Sequence, residues 1–284
     1  MRSFHNAQLF SAAMVFALAT TICTGQSVAT SDVITMAQRQ ITAYLAQLAD
    51  LHCIETVTQE KLTGNGHVDA SEHEEFDYLI MMNGTGDDFQ LNESRVESSN
   101  SRHKLLAKPM LITNGISTLL LVFHPYYRES FEFETEPEQL VAERPAIPIH
   151  FVHIPGRRTP AALALRGREY PLALEGTAWL DKNSGEVIKV DATLSHDMSD
   201  VGLRSLSMHV EYKSALFGKK SITVPALAVV DVTTPRQHWR NTHAFDRYRS
   251  FSVEAEQDPA VKLHPIPVGS TVPDVPPTGS KENP

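Results

Sequence analysis

Cysteine, tryptophan and basic clusters are scarce in this chain, and each scarcity closes off a class of protein. Of 284 residues two are tryptophan and two are cysteine, and Cys23 falls in an N-terminal apolar segment. The body of the chain therefore carries one thiol, Cys53, which cannot staple a domain internally. Its neighbour Ile54 suits a small buried hydrophobe rather than a nucleophile. Stability must come from an apolar core, for which the roughly 225 residues between the two ends suffice. The formal net charge is −9 with lysine and arginine dispersed, which excludes a binder that tracks nucleic-acid phosphates. The one basic pair, Arg157-Arg158, stands between Pro155-Gly156 and Pro160 and reads as a solvated turn.

Catalytic signatures are missing as well. There is no H-E-x-x-H, G-x-S-x-G or C-x-x-C and no glycine-rich phosphate loop. Ser101-Arg102-His103-Lys104 fits S-x-x-K, a pattern short enough to arise by chance, and its companion motifs are absent. No catalytic residue, metal ligand set or cofactor site is assigned on these grounds.

What is present begins with a targeting segment. Met1 to Gln8 carry Arg2 and no acid, and Leu9 to Ile22 are almost continuously apolar. Ser27-Val28-Ala29 then offers small residues where a signal peptidase reads. The pattern predicts a cleavable signal over 1–29 and a periplasmic or secreted protein, with a charge of −10 once Arg2 is lost. Ile22 is larger than lipoprotein processing prefers before Cys23, which disfavours a lipid anchor there. No later segment reaches the ~18 apolar residues of a membrane helix, so the chain is not expected to span a membrane. From Glu256 onward seven prolines and few large apolar residues predict a disordered or extended tail over 256–284. A single domain, expected to be monomeric, is left between them over 30–255.

Within that domain, apolar residues at Val33, Met36, Ala37, Ile41, Tyr44, Leu45 and Leu48 recur at helical spacing after Ser31 or Asp32 as N-cap. His52 to Lys61 switches to a period of two, with Cys53, Glu55 and Val57 on one side. Strands are predicted over Phe76–Met82, Phe89–Val96, Arg128–Phe133 and Ile147–Ile154. A second helix is predicted from Asn114 through Ile116, Leu119, Leu120, Val122 and Phe123, stopped by Pro125. Gly176 to Asp191 reads as a hairpin, with Asp181-Lys182-Asn183-Ser184-Gly185 as a loop whose glycine takes the left-handed position. Leu206, Met208, Val210 and Tyr212 alternate with Ser207, His209 and Glu211, giving one buried and one wet face. Ile222–Val232 and His243–Val253 complete the strands. This order is α+β with antiparallel pairing, not the βαβ alternation of a doubly wound nucleotide-binding sheet.

Those residues carry a resemblance. The leading helix, the single cysteine on the first strand, the central apolar helix and the W-L-D-K-N-S-G-E-V hairpin together resemble the lipoprotein-carrier (LolA-like) superfamily. The ending Thr234-Pro235-Arg236-Gln237-His238-Trp239-Arg240-Asn241, then Phe245 to Phe251, is similar to that of uncharacterised secreted proteins of soil bacteria. The resemblance implies a curved antiparallel half-barrel covered on its concave side by helices. It also implies an apolar cavity for a lipid, an acyl chain or a lipidated partner, in envelope transport, sensing or assembly. The lining expected from it is Leu119, Leu120, Phe123, Phe151, Trp179, Met208 and Tyr212, with Trp179 on the concave face. No carrier motif transfers residue by residue, and the acidic stretch Asp69 to Glu75 departs from the pattern.

Two other functions stay open on the residues alone. A metal-assisted hydrolase would need three ligands from His67, His73, His150, His153, His196, His209, His238 and His243 with nearby acids. Against it, His150 and His153 fall on opposite faces of a strand, and the His67–Asp77 cluster reads as a solvated loop. His238 to His243 is the densest polar–aromatic group and reads as a strand or turn anchored by Trp239. A structural interaction module tethered by the proline tail is the third reading.

Overall fold

The computed structural model of the protein describes residues 30–48, 51–83, 90–97, 116–165, 168–217 and 219–250. The expected signal segment, the S-x-x-K match, the Asn114 cap, the side chains of Met81 and Met82, and the proline tail lie outside what is described. Helix α1 (Thr30–Leu48) leads into β1 (Leu51–Leu62), β2 (Val68–Asn83) and β3 (Gln90–Glu97). Two 3-10 segments, Ser117–Phe123 and Arg128–Ser130, precede β4 (Phe131–Thr135), β5 (Gln139–Val141), β6 (Arg144–His153), β7 (Ala162–Leu165) and β8 (Arg168–Pro171). The chain then runs through β9 (Leu174–Asp181), β10 (Val187–Leu194), β11 (Ser205–Phe217), β12 (Lys220–Thr233) and β13 (His238–Ser250).

Eleven strands form one antiparallel sheet in the order β3-β2-β1-β13-β12-β11-β10-β9-β6-β4, with β5 also on β6, while β7 and β8 pair separately. Sequence neighbours pair by hairpin except at β4–β6, with β5 between them, at β6–β9, with β7 and β8 between them, and at β1–β13, which closes the first strands onto the last with Leu51 opposite Ser250 and Leu62 opposite His238. The edge strand β4 alternates Glu132 and Glu134 outward and is broken from β5 by Pro137, devices that discourage further strand pairing.

The period-two pattern sets one face of this sheet as the core. Val57, Phe245, Ala228, Val230, Val210, Val190, Ala178, Leu180, Ile149 and Phe151 are buried in successive strands and belong to one cluster or its continuation. Helix α1 and the Ser117–Phe123 segment cover that face. Val33, Ile34, Ala37, Ile41, Tyr44 and Leu45 make the buried stripe of α1, as the spacing predicts. The Thr30 and Thr135 hydroxyls share a hydrogen bond of 2.8 Å, and Gln40 Nε2 donates to the Ser184 carbonyl at 2.8 Å. These pin α1 to β4 at one end and to the β9–β10 turn further along.

That turn forms as expected. Gly185 sits at φ 74°, its N–H donates to the Asp181 carbonyl, and Asp181 Oδ1 accepts from the Asn183 and Ser184 N–H groups at 2.9 Å each. Burial pushes the Asp181 carboxyl up, but those two N–H groups and Arg144, 2.8 Å away, hold it below the ordinary carboxylate range.

Four expectations are corrected. Helix α1 begins at Thr30, so Ser31 and Asp32 lie in its first turn and do not precede it. The central helix takes the 3-10 form over Ser117–Phe123, ending before Pro125. The acidic stretch is not a loop but part of β2, paired with β1 from Lys61–Ala70 to His52–Leu79. Its charges fit a strand because they are met across the sheet, Asp69 by Lys61 at 3.4 Å and Glu75 by Arg247 at 2.8 Å. Lastly, Trp179 lies on the face opposite Ala178 and Leu180, with the Lys189 ammonium 3.7 Å from its ring centroid and its indole N–H donated to Gln139. A cation and an amide satisfy that face, whereas the small Ala178 is what fits beneath Ile149 and Val190.

Candidate functional site

Between α1 and the sheet lies a cavity of about 60 Å³. Gln40, Ile41, Ala43 and Tyr44 of α1, Leu120 of the 3-10 segment, Glu186 and Val187 at the start of β10, and Ser221, Ile222 and Thr223 of β12 line it. Ala43 and Ser221 are exposed and form its rim, whereas Ile41, Tyr44, Leu120, Val187 and Ile222 are buried and form its floor. Such a space holds a few ordered waters, against the ~300–1,000 Å³ of a pocket that encloses a small molecule. The interior beyond it is filled by the chain's own rings. Phe123 stacks on Phe133 at 5.5 Å between centroids and meets Phe151 edge-on at 6.3 Å, and Phe131 meets Phe151 at 6.0 Å.

The floor has a polar irregularity. Tyr44 and Tyr212 are buried, and neither hydroxyl has a hydrogen-bond partner. Burial is the chief cause that pushes both phenols well above their ordinary range, and the Cys53 thiol and Glu93 push Tyr44 further. Cys53 itself is pushed up to about 12, again mainly by burial. This thiol stays protonated near neutral pH and is inert, as its apolar setting suggested. Tyr248, in the same group, differs because its hydroxyl donates to the Pro225 carbonyl at 2.7 Å. A buried hydroxyl without a partner costs about 1–3 kcal/mol. Tyr44 lines the cavity, and Tyr212 interacts with Tyr44.

A buried ion group occupies the β3–β2–β1–β13 end of the sheet. Glu55 stands between Cys53 and Val57 on the core face and is 0% exposed, as is His243 across the ladder. Arg95 of β3 grips the Glu55 carboxylate through two nitrogens, Nε to Oε2 and Nη2 to Oε1 at 2.7 Å. His243 Nδ1 donates to Oε1 at 2.8 Å, and the Arg95 guanidinium lies 5.3 Å from the Tyr78 ring centroid. Burial acts to raise the Glu55 carboxyl, but the bonds and charges of His243 and Arg95 outweigh it, so Glu55 stays ionised below the usual range. The group ties the closing strand β13 to the edge strand β3 through a charge that must be paired to be buried.

The residues expected to line a cavity divide. Leu120 borders it, and Tyr212 is buried and interacts with the lining residue Tyr44. Leu119, Phe123, Phe151 and Met208 are buried in the packed core, and Trp179 is on the other face. The histidines disperse. His73 pairs with Thr58, His150 with Thr177, His153 with the Arg157 and Arg158 carbonyls, His209 with Asp191 and Glu211, and His238 with Asp231. His150 and His153 do take opposite faces. Among the described residues no three His, Cys, Asp or Glu side chains converge as a metal site would require. Trp239 is buried on β13 and Arg240 pairs with Asp231 at 3.1 Å, the structural role expected of that segment. The residues missed were Tyr44 as a polar group, Gln40, Ser221 to Thr223, and Arg95 as the partner of Glu55.

No family model matches the chain, and no curated protein matches it. Its fold is similar to a DUF1329 family protein from Desulfovibrio piger, at 9% identity and TM-score 0.42 over 79% of this chain and 94% of that one. It is also similar to a domain assigned to outer membrane lipoprotein sorting from Vibrio parahaemolyticus, at 10% identity and TM-score 0.39 over 81% and 97%. Pseudomonas aeruginosa MucB, solved with MucA, is matched at 10% identity and TM-score 0.24 over 77% and 99%. At 9–10% identity nothing about ligand or partner passes from them to this chain.

Proposed function

We propose that the protein is an exported binding protein whose sheet curls into a half-barrel around α1. The space beneath that helix would receive an acyl chain, free or carried by a lipidated partner, in envelope transport, sensing or assembly. The reach of α1 supports the curl. From Thr30, bonded to β4, to Tyr44, beside Cys53 of β1, the helix rises about 21 Å. In a flat sheet the seven spacings between β4 and β1 would span about 34 Å.

One observation carries the ligand class: the unpartnered hydroxyl of Tyr44, which lines the cavity with an apolar floor of Ile41, Leu120, Val187 and Ile222, and the unpartnered Tyr212 hydroxyl that interacts with it. A phenol donates to a carbonyl or carboxylate oxygen, and the Ile41, Leu120, Val187 and Ile222 side chains suit a hydrocarbon, so an acyl group meets both. Because the cavity is small, binding requires α1 to lift. Its polar ties to the sheet include two hydrogen bonds, Thr30 with Thr135 and Gln40 with Ser184, so most of its hold is apolar area that a chain of methylenes can replace. Titration with a fluorescent fatty acid tests the reading, comparing wild type with Ala43→Trp, which places a bulky ring at the cavity rim without touching the core. Saturable binding that Ala43→Trp abolishes is expected. Absence of saturable binding by the wild-type protein would refute it.

A further inference from the structure

The cavity carries polar groups but no cation among its described lining residues. Helix α1, the 3-10 segment and β12 give it only side chains that are uncharged near neutral pH. Glu186, half-buried at the start of β10, is the one charged residue of that lining, and it is an acid.

The arginines that serve the neighbouring acids are already committed. Arg144 Nη2 meets Glu186 at 3.1 Å while Arg144 Nε meets Asp181 at 2.8 Å, so one guanidinium is divided between two carboxylates. The same holds on the side of the phenol. Tyr44 lies within the field of the Glu93 carboxylate. Arg95, 3.7 Å from Glu93, also grips Glu55, to which the His243 imidazole donates. An ionised carboxylate taken out of water needs a cation or several N–H donors of its own. In this cavity it would find the Tyr44 hydroxyl and acids. A carbonyl in an ester or amide carries no charge, and one donor satisfies it.

We infer that the cavity selects acyl chains by the charge of their head: it takes an ester- or amide-linked acyl group in preference to the ionised carboxylate of a free fatty acid. Glu186 is the lining charge that sets the preference. The inference rests on the acyl reading above and narrows its ligand class. A free fatty acid enters protonated, and its affinity falls about tenfold for each pH unit above its carboxyl value.

The test uses one fluorescent acyl chain in two forms, the free acid and its methyl ester, each titrated into the protein at pH 7 and at pH 5. At pH 7 the ester should bind about tenfold or more tightly than the acid. From pH 7 to pH 5 the affinity of the acid should rise about tenfold per unit until its own carboxyl range is reached, while that of the ester stays within about twofold. Across that range Glu55 and Asp181 stay ionised and the Tyr44 hydroxyl and Cys53 thiol stay neutral, and the ester titration reports any other change in the protein. Glu186→Gln should cut the ester-to-acid ratio about threefold, and Ala43→Lys, which adds an ammonium at the exposed rim, about five-fold. Equal or tighter binding of the acid at pH 7 overturns the inference and leaves the acyl reading standing. So does a ratio that neither variant changes, since the preference would then follow the greater hydrophobicity of the ester alone. Binding of neither form refutes the acyl reading, and the inference falls with it.

Discussion

Tyr44 and Tyr212 are buried phenols and Tyr248 is a half-buried one, and one perturbation, removal of the hydroxyl, should do different things to them. Tyr44 and Tyr212 keep unpartnered hydroxyls, whereas Tyr248 donates to Pro225 at 2.7 Å. Tyrosine to phenylalanine preserves the ring and its packing, so each variant reads the hydroxyl alone. An unmet buried hydroxyl costs about 1–3 kcal/mol, and local relaxation recovers part of that, so Tyr44→Phe and Tyr212→Phe should each stabilise the ligand-free protein by about 1 kcal/mol. For a domain of this size that raises Tm by about 2–4 °C. Tyr248→Phe loses a made bond and orphans a carbonyl, and should lower stability by about 1 kcal/mol. Acyl binding should move the other way. Without a donor for the acyl oxygen, Tyr44→Phe and Tyr212→Phe should each weaken the fatty acid about five-fold, the worth of one neutral hydrogen bond. Thermal unfolding by circular dichroism and fluorescence titration on the same preparations measure both effects. Loss of more than 1 kcal/mol in Tyr44→Phe, or unchanged affinity in both Tyr44→Phe and Tyr212→Phe, would refute the assignment of these phenols to a ligand.

Glu55→Ala removes the carboxylate that Arg95 and His243 share and should destabilise by about 3–5 kcal/mol in urea unfolding; a loss under 1 kcal/mol would mean the group is not buried as described. Because the Glu55 carboxyl lies below its ordinary value when folded, its contribution is complete above about pH 4.5 and is lost as pH falls through the folded value. Wild-type stability should therefore fall on acidification more steeply than that of Glu55→Gln, read from urea midpoints between pH 7 and pH 3. His209 has the opposite sign. Partial burial lowers its value, but the Asp191 and Glu211 bonds outweigh this and raise it, so its small surface contribution is complete below about pH 6.5 and fades as pH rises through the folded value. His209→Gln should flatten that slope. Gly176→Ala should cost about 1–3 kcal/mol, because an added Cβ would stand 2.1 Å from the Asp191 carbonyl and 2.9 Å from the Phe151 ring.

The strand-rich order was legible wherever one face is buried and the other wet. Leu206 to Tyr212 alternates cleanly because β11 has the core on one side and Ser207, His209 and Glu211 in water on the other. Asp69 to Glu75 misled because every residue type there is polar or small, and its charges are met across the sheet by Lys61 on the preceding strand and by the distant Arg247. Trp179 misled for a related reason, since large aromatics usually face a core, but the sheet needs Ala178 where three strands close up. Glu55 did carry a signal. A carboxylate in phase with Cys53 and Val57 calls for a buried cation, but nothing in the local sequence points to Arg95, 40 residues on. Tyr44 was read as part of an apolar stripe, which is correct for its ring and silent about its hydroxyl. Leu120 was found because it belongs to an unbroken apolar run, whereas the other cavity walls, Gln40, Glu186 and Ser221 to Thr223, look like ordinary surface.

The central claim is that the space under α1 takes an acyl chain. Native mass spectrometry of protein purified from the envelope, under conditions that retain non-covalent ligands, tests it most directly. The account predicts an adduct with the mass of a fatty acid or lipid, reduced in Tyr44→Phe with Tyr212→Phe and absent in Ala43→Trp. A wild-type protein that carries no adduct and gains none when loaded with excess fatty acid would contradict it.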